Sequence, residues 1–157
     1  MLFRSEGVER FSVRDTVTRA VGLRRYAAGR LGLSIELDAP SGASELASAN
    51  EGYVQQAVLN LLMNAEQAMA SSAPGVIRVA LPCTDERIGV RVSDAGPGLS
   101  PEVTAERGRP FVSTKAPADG AGLGLWTSER VAQLFGGTLE TVSDASGTVA
   151  TLWLPRG

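Results

Sequence analysis

The sequence predicts an α+β fold in which amphipathic helices cover one face of a mixed sheet. Two observations predict it. Three stretches, residues 16–30, 51–70 and 122–135, repeat apolar residues at helical spacing. Around them lie short alternating or apolar runs, several joined in pairs by turn residues, which read as strands and hairpins. A length of 157 residues is that of one domain, and 43% hydrophobic with 20% charged residues is the composition of a globular chain that can bury a core.

In chain order, residues 1–9 carry no pattern and read as a linker, so the domain is set at 10–157. Residues 10–14 alternate as a short strand. Asp15 is the expected N-cap of the first helix, whose apolar positions are Val17, Ala20, Val21, Leu23, Ala27, Ala28 and Leu31. Its other face holds Arg14, Arg19, Arg24, Arg25 and Arg30 and reads as solvated. Gly32 ends it. Residues 33–37 and 45–49 read as strands around a Pro40-Ser41-Gly42 turn, and Asn50 caps the second helix. Residues 76–81 and 88–92 form the next strand pair. From Leu99 to Ala121 periodicity gives way to Pro, Gly and charge, the mark of a functional lid. Gly136 and Gly137 stop the third helix, and residues 138–142 and 148–154 make a last hairpin.

Composition excludes several functions. Histidine is absent, so the chain holds no histidine base, histidine metal ligand or phosphohistidine of its own. A net charge of −2 gives no case for nucleic acid. The single cysteine, Cys83, excludes an internal disulfide and reads as a strand-end residue. No apolar run approaches the roughly 20 residues of a spanning helix, so a cytoplasmic location without direct membrane contact is expected.

The second helix is unusual. Its stripe of Val54, Val58, Leu61, Leu62, Ala65, Ala68 and Met69 is ordinary, but Gln56, Asn60, Asn64 and Gln67 gather within roughly a quarter turn. Asn is a weak helix former, and Lys and Glu normally fill a solvated face. Such an amide face either bonds neighbouring loops or holds a polar ligand or metal. Asp94-Ala95-Gly96-Pro97-Gly98 follows a strand directly. It reads either as a plain turn or as a close backbone approach to a ligand whose exocyclic amine meets Asp94. Gly120-Ala121-Gly122-Leu123-Gly124-Leu125 opens a helix, either as a hinge or as a phosphate cradle. No Lys-Ser/Thr follows, so it is not a Walker loop. Between the loops lies Arg109-Pro110-Phe111-Val112-Ser113-Thr114-Lys115, where Phe111 can anchor a lid and Arg109 and Lys115 can reach phosphate oxygens.

Taken in this order, LNLLMNAEQAM, DAGPG, RPFVSTK and GAGLGL resemble the N, G1, F and G2 boxes of the ATP-binding catalytic domain of bacterial sensor histidine kinases, in the GHKL ATPase superfamily. The closing GTVATLWLP resembles that family's last hairpin, and the resemblance spans nearly the whole chain. It implies a two-layer sandwich whose mixed, mostly antiparallel sheet of about five strands carries three helices on one face. It further implies Mg²⁺ on Asn64, with Asn60 and Gln67 lining the same pocket. Adenine would lie on Asp94, Gly96 and Gly98, with Phe111 among the nucleotide-binding residues and Gly147 and Thr148 near the nucleotide. The phosphates would be wrapped by Gly120, Ala121, Gly122, Leu123, Gly124 and Leu125, with Lys115 at the γ-phosphate. Asn60 and Lys115 are the candidates for a direct part in transfer.

The expected activity is binding of Mg-ATP and donation of its γ-phosphate to a histidine on a separate phosphoacceptor and dimerisation helical domain, with a response regulator served indirectly. Two other readings stay open. Gln67 stands where many relatives carry Lys or Arg, and Trp126 where a small residue is common, which suits a degenerate docking module. A stand-alone GHKL ATPase is the third reading, although Asn60 occupies the place of that class's catalytic Glu.

Overall fold

The computed structural model describes residues 7–39, 45–96 and 121–157, with side chains in the last helix from Leu125 onward. Strand β1 (Glu9–Ser12) leads into helix α1 (Val13–Arg30). The N-cap of α1 is Ser12 rather than Asp15: Ser12 is extended, and its Oγ accepts from the Asp15 N–H at 3.2 Å. Asp15 lies inside the first turn, where its charge complements the helix dipole. The strand expected at residues 10–14 therefore ends two residues sooner. Strand β2 (Leu33–Asp38) follows Gly32, then β3 (Leu46–Ala49) and helix α2 (Glu51–Met69). Asn50 caps α2 as expected, its Oδ1 accepting from the Tyr53 N–H at 3.1 Å. Strands β4 (Gly75–Ala80) and β5 (Arg87–Asp94), helix α3 (Ala121–Leu134), and strands β6 (Thr138–Asp144) and β7 (Gly147–Pro155) complete the chain.

Five strands form one sheet in the order β2-β4-β5-β7-β6. Only β2 and β4 run parallel, and α2 lies in the crossover that a parallel pair requires. Strands β1 and β3 pair separately as an antiparallel ribbon, a second sheet that the sequence pattern does not announce. The end of the chain is stitched to this ribbon: the Gly157 N–H donates to the Leu46 carbonyl at 2.9 Å.

Alternation along the strands separates two faces. Ile35, Ile77, Val79, Ile88, Val90, Val92, Leu139, Leu152 and Leu154 are buried with Val17 and Val21 of α1, Val54, Val58, Leu61 and Leu62 of α2, and Leu125 of α3. Ser34, Glu36, Arg78, Thr138 and Glu140 occupy the opposite, exposed positions. One aromatic lies on that outer face. Trp153 faces Gly89 across the β5–β7 pair, with the Arg87 guanidinium 4.9 Å above its ring and Glu140 accepting from its Nε1 at 3.0 Å. The architecture is the two-layer α+β sandwich that the sequence predicts.

The arginine face of α1 differs from its expected solvated state. Arg14 pairs with Glu45, Arg19 with Glu51, and Arg24 with Glu66. These partners lie 31, 32 and 42 residues away, beyond the reach of any local periodicity. Among the described residues no helix is long and apolar enough to cross a membrane.

Candidate nucleotide site

The site is built where β5 ends. Strand pairing sets Asp94 directly opposite Thr148, the second residue of β7. The Asp94 Oδ1 accepts from the Gly96 N–H at 3.0 Å and from the Thr148 N–H at 3.3 Å. Its Oδ2 makes no hydrogen bond among the described residues. Burial pushes the Asp94 carboxyl above the ordinary carboxylate value, and the two N–H donors pull the other way. The result is a half-buried acceptor at a strand end with one oxygen held by two backbone N–H groups.

Two glycines make this geometry possible. A Cβ on Gly96 would stand 2.6 Å from the Ala68 carbonyl oxygen, so the turn after β5 lies directly on the last turns of α2. Gly147 has φ +144°, and a Cβ there would overlap the Asp94 carbonyl oxygen. Ser143, paired with Thr148 in the β6–β7 hairpin, sets its Oγ 3.0 Å from the Thr148 Oγ1.

Helix α2 brings its amides to the same place. Asn64 lies one turn before Ala68, and Gln67 is adjacent to it. The Nδ2 of Asn64 and the Oε1 of Gln67 are buried with no hydrogen-bond partner among the described residues, as are Glu45 Oε2 and Thr141 Oγ1 elsewhere. An unpaired buried polar atom costs about 1–3 kcal/mol, so both amides have the capacity for a further polar partner. Asn60 is engaged along its own helix, its Oδ1 accepting from the Gln56 Nε2 at 3.2 Å.

Helix α3 runs antiparallel to α2. Its buried Ser128 donates to the Ala57 carbonyl at 3.1 Å, and Phe135 beyond its end meets Tyr53 in the first turn of α2, ring centroids 6.0 Å apart. From the Ser128–Ala57 crossing, Ala121 and Asn64 each lie seven residues away in the same direction, about 10 Å along the helix axes. Helix α3 thus begins toward the same end of α2 as Asn64.

The family model of the histidine kinase-, DNA gyrase B- and HSP90-like ATPases matches residues 49–157, from the end of β3 to the chain's last residue. The chain belongs to this ATPase family. The C4-dicarboxylate transport sensor protein DctB of Rhizobium meliloti is 38% identical over 134 residues, covering 85% of this chain and 21% of that protein. The sensor histidine kinase ZraS of Klebsiella oxytoca is 32% identical over 90% of this chain and 30% of its own length. The chain thus spans less than a third of either relative. The nucleotide-free catalytic domain of histidine kinase ThkA superposes with a TM-score of 0.82 at 21% identity, over 95% of each chain, and shares the fold.

Membership of this ATPase family carries the use of ATP, and the donor set fits a nucleotide. Asp94 offers a half-buried carboxylate, and Asn64 Nδ2 and Gln67 Oε1 are polar atoms without a partner among the described residues. Among the described residues no group of three or more acidic or cysteine side chains forms a metal cage.

Of the residues predicted from sequence, Asp94, Gly96 and Thr148 are joined by hydrogen bonds, and the Gly96 turn meets α2 at Ala68, next to Gln67 and one turn after Asn64. Ala121, Gly122, Leu123 and Gly124 form the start of α3. Leu125 is buried in the core, which leaves only its backbone to the site. Gly98, Arg109, Phe111, Lys115 and Gly120, and the predicted lid with them, lie outside the described residues. The sequence reading missed Ser143 and Ala68. The hairpin turn at Asp144–Gly147 was a usable signal for Ser143, because it fixes the register with Thr148. Ala68 was assigned to the apolar stripe, and nothing local marks its carbonyl as the floor of a turn.

Proposed function

We propose that this chain binds Mg-ATP and donates the γ-phosphate to a histidine on a separate helical domain, as the catalytic part of a two-component sensor kinase. The observation that carries the reading is the meeting of the Asp94–Thr148 strand end with the unsatisfied amides of α2, in a chain of this ATPase family. Asp94 accepts from the adenine amine through its carboxylate. Gly96 and Gly147 keep Cβ atoms out of the backbone junctions around it. The start of α3 presents backbone N–H groups to the phosphates, where the helix dipole favours anions. Asn64 holds Mg²⁺ through its carbonyl oxygen, and Gln67 lines the same pocket. The ion, when bound, neutralises charge on the phosphates. Asn60, Lys115 and the glycine run around Gly122 complete the site in this reading. Phosphoryl transfer asks mainly for such positioning and neutralisation. In the step itself the bond from the γ-phosphorus to the bridging oxygen breaks, a phosphorus–nitrogen bond forms on the acceptor histidine, and ADP leaves. The names of the curated relatives, a sensor protein and a sensor histidine kinase, support this assignment.

The test has two parts. ATP is titrated into the chain with and without Mg²⁺. The chain is then mixed with γ-labelled ATP and the histidine-bearing helical domain of its parent reading frame. Saturable Mg-dependent binding, followed by acid-labile label on the acceptor that is lost with Asn64→Ala, is the expected result. No binding at millimolar ATP overturns the proposal, and steady phosphate release without any acceptor would make the chain a stand-alone ATPase.

A further inference from the structure

We infer that Arg24 of α1 is a positioning residue for the amide face of α2, acting through Glu66; the inference rests on the nucleotide reading above. Glu66 is 3% exposed, yet it lies on α2 between Asn64 and Gln67 in sequence. Both of its oxygens are taken by one guanidinium: Arg24 Nε donates to Oε2 at 2.9 Å and Nη2 to Oε1 at 2.5 Å. Glu66 is two residues past Asn64 and so about 200° around the helix. The fork therefore grips α2 from the side opposite the amide.

The lever is short and sensitive. Rotating α2 by about 10° moves an amide about 6 Å from the helix axis by about 1 Å, twice the tolerance of roughly 0.5 Å for a productive site. Apolar neighbours such as Leu62, Ala65 and Met69 hold the helix down, but hydrophobic contact is non-directional and tolerates a small roll. A bidentate guanidinium–carboxylate pair does not. Stability gives a weak reason for this pair, since well-packed apolar residues commonly replace a buried ion pair at no cost. Direction is what it supplies. A second bridge joins the same two helices, Arg19 to Glu51, but it lies in the first turn of α2, far from Asn64, with 51% and 33% of its side chains exposed.

The decisive variant is Arg24→Met with Glu66→Met, which removes both charges together. Thermal melting and nucleotide affinity are measured with and without Mg²⁺. The expected result is a folded protein melting no lower than wild type, with Mg-ATP affinity reduced about tenfold and Mg-free nucleotide binding nearly unchanged. Arg24→Lys, which keeps the charge but loses the fork, should fall between, and Arg19→Met should match wild type. Glu66→Gln keeps the side-chain shape and gives the same comparison if the double variant fails to fold. Wild-type Mg-ATP affinity in the double variant, or an equal loss with and without Mg²⁺ that tracks melting, overturns the positioning role alone. Absence of Mg-dependent binding in the wild type overturns the nucleotide reading and this inference with it.

Discussion

The two halves of α2 follow opposite rules. In the first half the polar groups are matched: Asn50 caps the helix, Gln56 donates to Asn60, and the Ala57 carbonyl receives the Ser128 hydroxyl. Tyr53 leans on Phe135 at the same end. In the second half Asn64 and Gln67 bury polar atoms with no partner, no basic residue closes the last turn, and a glycine turn presses on the Ala68 carbonyl. In that same half Glu66 is fully paired with Arg24, so the unmatched atoms belong to the amide face alone. Among the described residues of α2 the unsatisfied atoms lie at one end, beside a half-buried carboxylate, which is the pattern a polar-ligand site would show.

The comparison is broken most severely at the junction itself. Gly96→Val sets a branched side chain against the Ala68 backbone and forces β5 and α2 apart. The expected loss is about 2–4 kcal/mol in urea-unfolding stability, with nucleotide binding abolished. Wild-type stability in this variant would mean that the turn is free to move off the helix. The next largest effect should split the two properties. Asn64→Leu removes an unpaired buried amide, so unfolding stability should rise by about 1 kcal/mol while Mg-ATP affinity falls at least about tenfold. A variant that loses stability and affinity together would show that Asn64 is a satisfied structural residue.

These effects bear on what the sequence disclosed. The helices and strands were legible to within a few residues because periodicity is local, and Asn50 was legible as a cap because it directly precedes its helix. Ser12 was missed in favour of Asp15 because both are cap formers and three residues separate them, so only the extended backbone at Ser12 decides. The ion pairs of α1 were illegible because each acid lies 31 to 42 residues from its arginine. The amide face and glycine turns were legible as chemistry because Asn in a helix and Gly after a strand both run against local preference. Their convergence was implied only by the family resemblance and not by local pattern, since it depends on pairings such as that of Asp94 with Thr148 across 54 positions.

At the first half of α2 a cap substitution should cost stability alone. Asn50→Ala is expected to lose about 1 kcal/mol by chemical denaturation and to leave ATP affinity at the wild-type value. Reduced affinity there would erase the division between the two ends.

The smallest effect is also the most diagnostic, because its two readouts move in opposite directions. Burial raises the Asp94 pKa in the folded state, so the folded protein keeps that proton to higher pH than the unfolded chain does. Asp94's contribution to stability is fully present below the unfolded value. It declines as pH rises through the window between the unfolded and folded values, and it is constant above. Adenine recognition requires the ionised acceptor, so ATP affinity should increase through that same window. Urea midpoints and ATP titrations from about pH 4 to about pH 7 measure both, with Asp94→Asn as the reference that cannot ionise. Relative to that variant, wild-type stability should fall with rising pH while its affinity climbs. If stability instead climbs, the N–H groups of Gly96 and Thr148 outweigh burial. The carboxylate is then held by the fold for its own sake, and the second half of α2 faces a structural turn.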